Sequence, residues 1–297
     1  MKFGIMAMQM EALLPPVSSA PEALQHIASF SHAGLIRQLH TAGFSLIELG
    51  GDLGMWFPNA FTPPVIEELT QLKEELGLSY TVHLPLWSVE PSTPLQPVRI
   101  GSVRALTDCI RATLPLQPVC YVLHATGALA AEFYQMRLPP AAKGLILRQF
   151  QQNALQSIQE VLDQTSLPPR RLAVETIEFP FDLTLEMTER LDLSVCLDTG
   201  HVLAGFAGQL DLFAVLEKVL PRLGEIHLHD CPRPPVGGKP AYGMDHQTLG
   251  SGDLETARLL DRLSEAGFNG PVIFELTIPQ AVSSLQVIRQ LRPTLLP

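Results

Sequence analysis

Residues 171–199 read RLAVETIEFPFDLTLEMTERLDLSVCLDT, which is an apolar run, a helical pattern and a second apolar run. Both runs are short and nearly continuous, a pattern typical of strands covered on both faces of a parallel sheet. Both deliver a carboxylate near their end, Glu175 in the first and Asp198 in the second. The helical pattern at 183–190 supplies the crossover that parallel strands need. This stretch therefore predicts one β-α-β unit of an α/β fold.

The same unit repeats along the chain. Eight apolar runs predict strands at 2–8, 44–50, 78–84, 119–125, 171–177, 193–199, 224–230 and 271–277. Apolar residues at helical spacing predict helices at 22–41, 63–76, 101–113, 143–163, 183–190, 211–220, 254–266 and 280–291. Eight strand-helix units in 297 residues predict a single (β/α)8 barrel domain spanning residues 1–297.

Local signals support these helix ends. Gly43, Gly77 and Gly267 follow predicted helices, where a left-handed C-cap is favoured. Asp253 precedes the apolar spacing of the helix at 254–266 and is predicted to be its N-cap. Residues 231–252 form the longest predicted connection, and such long loops in compact domains are usually functional or mobile.

Composition limits the class of protein. The chain is 46% hydrophobic and 17% charged, which suits a large buried core. A net charge of −10 without a basic run disfavours general nucleic-acid binding. The N-terminus lacks the pattern of a signal peptide, and no apolar stretch approaches the roughly 18–20 residues of a membrane span. Four cysteines without CxxC spacing are typical of buried thiols in a reducing compartment, which predicts a cytoplasmic protein. The sequence leaves the oligomeric state open.

Ionisable residues stand at the downstream ends of the predicted strands. Strands two to eight deliver Glu48, His83, His124, Glu175, Asp198, His227 and Glu275. In a (β/α)8 barrel these ends form the face that carries the active site. Because buried imidazoles and carboxylates are costly unless something pairs with them, their convergence predicts a metal site.

The mixture of ligands indicates which metal binds. The predicted metal ligands are His83, His124, Glu175, Asp198, His201, His227, His246 and Glu275. Mixed imidazole and carboxylate suits Zn²⁺, Mn²⁺ or Fe²⁺, and the imidazoles favour Zn²⁺ first and Mn²⁺ next. Eight ligands are too many for one ion, which predicts two or three. His229 alternates with His227 along the predicted strand and is predicted to point away, while Asp230 braces a loop or a ligand.

These motifs resemble the xylose-isomerase-like TIM-barrel superfamily over essentially the whole chain. That superfamily includes sugar isomerases and epimerases and the endonuclease IV type phosphodiesterases. The residues that match its shared metal core are Glu175, Asp198, His227 and Glu275, with His201 three positions after Asp198.

The endonuclease IV branch adds histidines where this chain has His83, His124 and His246, and its HxxLGxG stretch resembles HQTLGSG here. The resemblance implies that His83, His124 and Glu175 hold one ion. It implies that Glu175 bridges to a second ion, which Asp198, His227 and Glu275 complete. His201 and His246 would hold a third ion. The family's loop aspartate falls at Met244, and Asp245 is displaced by one position.

A closer resemblance is to the cobamide-remodelling phosphodiesterases (the CbiR family). It is carried by YTVHLPLW, PLQPVCYVLH, LAVETIEFPF, LSVCLDTGH and MDHQTL. This resemblance implies a metal-dependent hydrolase that cleaves a phosphodiester in a small molecule, such as the nucleotide loop of a cobamide. Glu175 and Glu275 are the predicted catalytic residues.

Two other functions stay open. The alternative enzyme is a sugar or sugar-phosphate isomerase or epimerase with one divalent metal, in which Glu175 and Glu275 shuttle a proton. Its sugar-binding arginine lies six residues after the histidine of strand seven, as Arg233 does after His227. The predicted substrate contacts are Glu48, Arg233 and Asp245. Glu48 could instead support the ligands from behind, and Asp245 could replace the third-ion ligand missing at Met244. A non-catalytic binding protein on the same barrel is the third possibility.

Overall fold

The chain folds into a closed barrel of eight parallel strands. The computed structural model describes residues 1–6 and 19–296. The strands follow one another around the barrel in chain order, and the first pairs with the last. This confirms the predicted (β/α)8 barrel. Residues 7 and 8 of the predicted first strand lie outside the described residues.

The observed strands are shorter than the apolar runs that predict them. They are β1 Lys2–Met6, β2 Leu46–Gly50, β3 Ser79–His83, β4 Tyr121–Leu123, β5 Leu172–Glu175, β6 Ser194–Asp198, β7 Leu223–His227 and β8 Pro271–Glu275. Their register brings the ionisable ends to similar heights. Asp198 lies beside His227, and Met6 lies beside both Glu48 and Glu275.

Helices surround the barrel. They are α1 Ala20–Ala28, α2 His32–Thr41, α3 Leu53–Trp56, α4 Pro63–Leu76, α5 Gln96–Thr113, α6 Ala128–Gln135, α7 Pro140–Thr165, α8 Phe181–Arg190, α9 Thr199–Ala204, α10 Leu212–Val219, α11 Thr256–Glu265 and α12 Ile278–Leu291. Short 3-10 turns occupy Leu114–Leu116, Pro169–Arg171, Leu220–Arg222 and Pro293–Leu295. The large core packs between the strands and these helices. In the part of the chain that is described, no helix combines the length and apolar character that crossing a membrane requires.

Two helix predictions need correction. The predicted helix at 22–41 is two helices, because Ser31 has an extended backbone and its side chain accepts a hydrogen bond from the Gly34 N–H as an N-cap. The Asp253 prediction is also wrong. Glu255 is the N-cap of α11, and Asp253 instead accepts a hydrogen bond from the Arg233 N–H at 2.7 Å. Gly77 is the left-handed C-cap of α4 at φ 65°, as predicted. Gly43 and Gly267 also have positive φ, but each follows an alanine C-cap, Ala42 or Ala266.

The longest connection carries part of the mouth of the barrel. It runs from the end of β7 to the start of α11, and an isolated antiparallel bridge joins Asp230 to Gln247 within it. The Asp230 carboxylate accepts hydrogen bonds from three backbone N–H groups, those of Cys231, Gly250 and Leu254, at 2.8–2.9 Å. Asp230 therefore braces this loop against the barrel, as the sequence suggests.

Candidate metal centre

Glu175, at the end of β5, lies between two groups of histidines. Its Oε2 is 3.1 Å from His83 Nε2 and 2.9 Å from His124 Nε2. Its Oε1 is 3.2 Å from His201 Nδ1 and 3.5 Å from His227 Nδ1. Burial alone would raise the pKa of Glu175, but the charges of His124 and His227 and hydrogen bonds from His124 and His201 lower it well below its usual range. One carboxylate thus serves two clusters with different oxygens.

The first cluster consists of His83, His124 and Glu175, whose ligand atoms lie within 4.8 Å of one another. The Nδ1–H of His83 donates to the Leu84 carbonyl at 2.9 Å, which directs Nε2 toward Glu175. This is how the outer hydrogen bond of a metal-binding histidine normally fixes its tautomer. Burial opposes the charged form of His83, yet the hydrogen bond and charge of Glu175 raise its pKa to about 9.

The second cluster consists of Glu175, Asp198, His227 and Glu275, again within 4.8 Å. His227 is fully buried, and its Nδ1 lies 3.3 Å from Glu275 Oε1 and 3.8 Å from Asp198 Oδ2. Neither ring nitrogen of His227 makes a well-aligned hydrogen bond to the described residues. A buried imidazole without a hydrogen bond, facing three carboxylates, suits a bound cation. These residues therefore fit a divalent metal ion.

The third cluster consists of His201, His229 and His246. Asp245 lies beside it, with its Oδ2 2.9 Å from His246 Nδ1 and 3.8 Å from His201 Nε2. The Nδ1–H of His201 donates to the Thr176 carbonyl at 3.1 Å, which leaves Nε2 facing the cluster.

Acidic neighbours dominate the electrostatics of this third cluster. Burial disfavours the charged imidazole of His246, but Asp245 and Glu275 raise its pKa to about 11. Burial also opposes the charged form of His201, and Asp198 and Glu175 raise its pKa to about 10. The carboxyl group of Asp245 would have a raised pKa from burial alone, but His246 and His201 lower it to about 2. Without a metal, His201 and His246 therefore carry protons at neutral pH that offset the charges of the carboxylates around them.

The structure brings all eight predicted metal ligands into these three clusters. It also adds His229, which the sequence prediction directs away from the site. Strand alternation does not extend to His229, because β7 ends at His227. Its ring turns back and lies 4.2 Å from the His246 ring, centroid to centroid.

A second residue missed in the sequence lies beneath the centre. Glu225 is fully buried and precedes His227 by two positions on β7, so both point to the barrel interior. Burial and the charge of Glu48 raise the pKa of Glu225 well above its usual range, which favours the neutral form of its carboxyl group. Thr81 donates to it at 3.1 Å. The strand periodicity that places His227 inside the barrel could have found Glu225.

The three predicted substrate contacts lie in different places. Glu48 is 3% exposed, and its Oε2 lies 3.2 Å from His227 Nε2, on the side of the ring away from Glu275. Asp245 stands at the third cluster. Arg233 is exposed on the loop after β7, and its backbone N–H is tied to Asp253.

Two tryptophans stand at the mouth. Trp56 and Trp87 are 44% and 56% exposed and line a cavity together with Glu48 and His83. Trp87 also lines a second groove, which runs beside His124 and contains the acidic Glu132 and Glu178. Among the residues that the structure describes, apolar and acidic side chains therefore line the two depressions beside His83 and His124.

Comparison with known proteins defines the class. The family described as xylose isomerase-like TIM barrel matches residues 36–291. The chain belongs to this family.

Individual relatives are distant. An uncharacterised protein of Methanocaldococcus jannaschii is 20% identical over 241 residues, which cover 77% of this chain and 75% of that protein. A D-tagatose 3-epimerase-like protein superposes with a TM-score of 0.69 at 18% identity, covering 98% of this chain and 97% of its own. Endonuclease IV from Thermus thermophilus superposes with a TM-score of 0.67 at 19% identity, covering 98% of each chain. At this identity the solved structures show the shared fold and nothing finer.

Proposed function

We propose that the protein is a metal-dependent hydrolase that cleaves a phosphodiester bond in a small molecule. The observation that carries this proposal is the position of Glu175. Its two oxygens face two imidazole clusters, one containing His83 and His124 and the other containing His227. A carboxylate placed in this way suits a bridge between two cations. A single-metal enzyme has no evident use for His83 and His124.

The residues divide the work as follows. Glu175 would hold one cation together with His83 and His124, and a second together with Asp198, His227 and Glu275. His201 and His246, with Asp245 beside them, would hold a third. When bound, these cations, Zn²⁺ first and Mn²⁺ next, would acidify water at the site and offset negative charge that develops on the phosphoryl oxygens. Glu275 and the bridging Glu175 orient the groups around the phosphorus. Hydrolysis adds water across the P–O bond, and the departing oxygen takes the proton.

The surroundings of the site favour a small, largely uncharged molecule over a nucleic acid. The chain has a net charge of −10, and the groove beside His124 is lined by Glu132 and Glu178. Polyanions are normally bound by basic surfaces. Trp56 and Trp87 offer exposed rings at the cavity beside His83. The nucleotide loop of a cobamide is a phosphodiester of this kind. Glu48 lies on the far side of the His227 ring and would act on that ring. Arg233 is exposed on the loop after β7 and would have to extend toward the site to contact substrate.

Metal content and hydrolysis test the proposal together. We expect two or three zinc or manganese ions per chain in protein purified without chelator or affinity-tag metal. We expect a small phosphodiester, with corrinoids tried first, to be hydrolysed to a phosphomonoester. The double variant His83→Gln, His124→Gln should lose about one metal equivalent and at least about 100-fold in rate, because the bridged pair is then incomplete.

A matched His→Gln change at His40, on α2, provides the control and should leave both values unchanged. The hydrolase proposal fails if the double variant keeps full metal content and full activity.

The alternative is a sugar epimerase or isomerase with one metal. It is favoured by Glu175 and Glu275, which flank His227 Nδ1 at 3.5 and 3.3 Å and could move a proton at carbon. One metal equivalent per chain, with solvent deuterium entering a ketose, would support it. Absence of exchange across a panel of ketoses would count against it.

A further inference from the structure

Contacts of both the backbone and the ring fix His229 in place, although it lies beyond the end of β7. Its side chain is fully buried. Its backbone N–H donates to the Thr199 hydroxyl at 3.1 Å, and the same hydroxyl is 2.8 Å from the His229 carbonyl. Its ring stacks on that of His246 with an angle of 12° between the planes. The residue therefore joins the turn after β6 to the loop after β7.

The hydrogen bonds define the tautomer of His229. The backbone N–H of His246 can only donate, so His229 Nδ1, at 2.9 Å, must accept. A ring whose Nδ1 accepts carries its proton on Nε2, and this Nε2–H donates to Asp198 Oδ2 at 2.9 Å. One neutral ring thus satisfies both partners. A cation could bind either nitrogen only by breaking one of these bonds.

Gly200 is matched to this ring. A Cβ at position 200 would lie 2.1 Å from both Cε1 and Nδ1 of His229. Real atoms do not approach so closely, so any larger residue would displace the ring. In the turn that carries Asp198 and His201, a glycine at position 200 therefore leaves the space that the His229 ring occupies.

The partner loop needs an anchor. His246 has φ 56°, in the left-handed region that side chains other than glycine rarely adopt. Such a conformation is unfavourable and persists only where surrounding contacts impose it. The bond to His229 Nδ1 falls on the N–H of this strained residue. Loss of that bond should release it.

We propose that His229 is a positioning residue that ties the metal-binding Asp198 to the loop carrying Asp245 and His246. Ordering one part of the centre then orders the other, and the loop is set before any cation binds. The inference rests on the proposed metal centre but not on the reaction catalysed there.

Hydrogen–deuterium exchange on the chelator-treated protein tests the link without metal or turnover. In His229→Asn the shorter amide can still accept from the His246 N–H but cannot reach Asp198. In His229→Gln the longer amide reaches Asp198 but is poorly placed for the loop. We expect the His246 amide to exchange about tenfold faster in His229→Gln and His229→Ala, and near the wild-type rate in His229→Asn.

Gly200→Ala keeps every hydrogen-bonding group but displaces the ring, and it should accelerate the same amide. His40→Gln is the matched control and should exchange as wild type. If the amide exchanges at the wild-type rate in both folded His229→Ala and Gly200→Ala, the link is refuted.

Zinc titration separates positioning from direct ligation. In His229→Ala and His229→Gln we expect the dissociation constant of the weakest zinc site to rise at least tenfold over wild type. The number of zinc ions bound at saturation should stay the same. If saturation falls by one zinc in His229→Ala and also in His229→Asn, His229 is a ligand and the positioning role is wrong. The zinc count of the wild-type protein tests the proposed function separately, so the two failures are distinguishable.

Discussion

At the scale of single residues, the chemistry of the centre depends on which nitrogen each histidine presents. His83 and His201 give their Nδ1–H to the carbonyls of Leu84 and Thr176, so each presents Nε2 to its cluster. His227 presents Nδ1, because Glu48 occupies the side of its Nε2. Backbone carbonyls and one buried carboxylate therefore fix which ring nitrogen each of these histidines would offer to an ion.

The raised pKa values of these histidines predict proton release on metal binding. In the metal-free protein His83, His201 and His246, with pKa values of about 9, 10 and 11, are protonated at neutral pH. Zinc requires the neutral rings, so we expect more than one proton released per chain at pH 7, and tighter binding as the pH rises. Calorimetric titration in two buffers of different ionisation enthalpy measures this release.

The same groups give the metal-free protein a definite pH dependence. A raised histidine pKa stabilises the fold fully below the unfolded value of about 6.5, and this stabilisation is lost as the pH rises through 9 to 11. Metal-free stability should therefore decrease across this range.

Identical binding heats in the two calorimetric buffers would contradict the protonation assigned to these histidines. His246→Gln should reduce the number of protons released.

At the scale of elements, the loop after β7 and the start of α12 support the third cluster together. Thr277 caps α12 with a complete capping box, in which its hydroxyl accepts from the Gln280 N–H and Gln280 Oε1 accepts from the Thr277 N–H. Gln280 Nε2 also lies 3.5 Å from the carbonyl of His246. The cap thus orders a helix whose first turn contacts the loop that carries Asp245 and His246.

Removing this cap should weaken the fold without removing a ligand. We expect Thr277→Ala to lower the free energy of unfolding by about 0.5–2 kcal/mol, because an N–H at the helix start loses its acceptor. Urea unfolding of metal-free protein measures the loss. Ser283→Ala, an exposed position inside the same helix, is the control and should change stability by less than about 0.5 kcal/mol. Equal effects of the two variants would argue against the cap.

At the scale of the whole molecule, the closed barrel concentrates acidic groups at its centre. Glu48, Glu175, Glu225 and Glu275 are each less than 5% exposed, and Asp198 is fully buried. The raised pKa of Glu225 and the charged histidines reduce this negative charge in the metal-free protein. Bound cations would offset it more completely, and they bind only when the barrel is closed and the strand ends converge.

Metal removal should therefore destabilise the entire fold. One site at a hundredfold excess of metal over its dissociation constant stabilises by about 2.7 kcal/mol. We expect chelation to lower the melting temperature by about 5–10 °C. Thermal unfolding with and without chelator, followed by zinc repletion, measures the shift. In the His83→Gln, His124→Gln variant the shift should shrink, and a shift equal to that of wild type would oppose metal binding at these residues.

Much of the fold could be predicted because its signals are local. Short apolar runs with helical spacing between them indicate parallel strands and crossovers, and eight such units close into a barrel. Closure then places strand ends such as Glu175, Asp198 and Glu275 on one face. The break between α1 and α2 could not be predicted in this way, because the apolar spacing continues through Ser31, whose cap to Gly34 is visible only in the structure.

The barrel and the residue types at its mouth follow from local sequence, because strand periodicity and connection length are properties of neighbouring residues. Long-range packing sets where β7 ends, and His229 therefore turns back toward Asp198. The tertiary structure also decided that Glu225 faces Glu48 and that Arg233 is exposed. These outcomes depend on contacts between residues far apart in the chain, such as Gly200 beneath the ring of His229. No local pattern encodes such a contact.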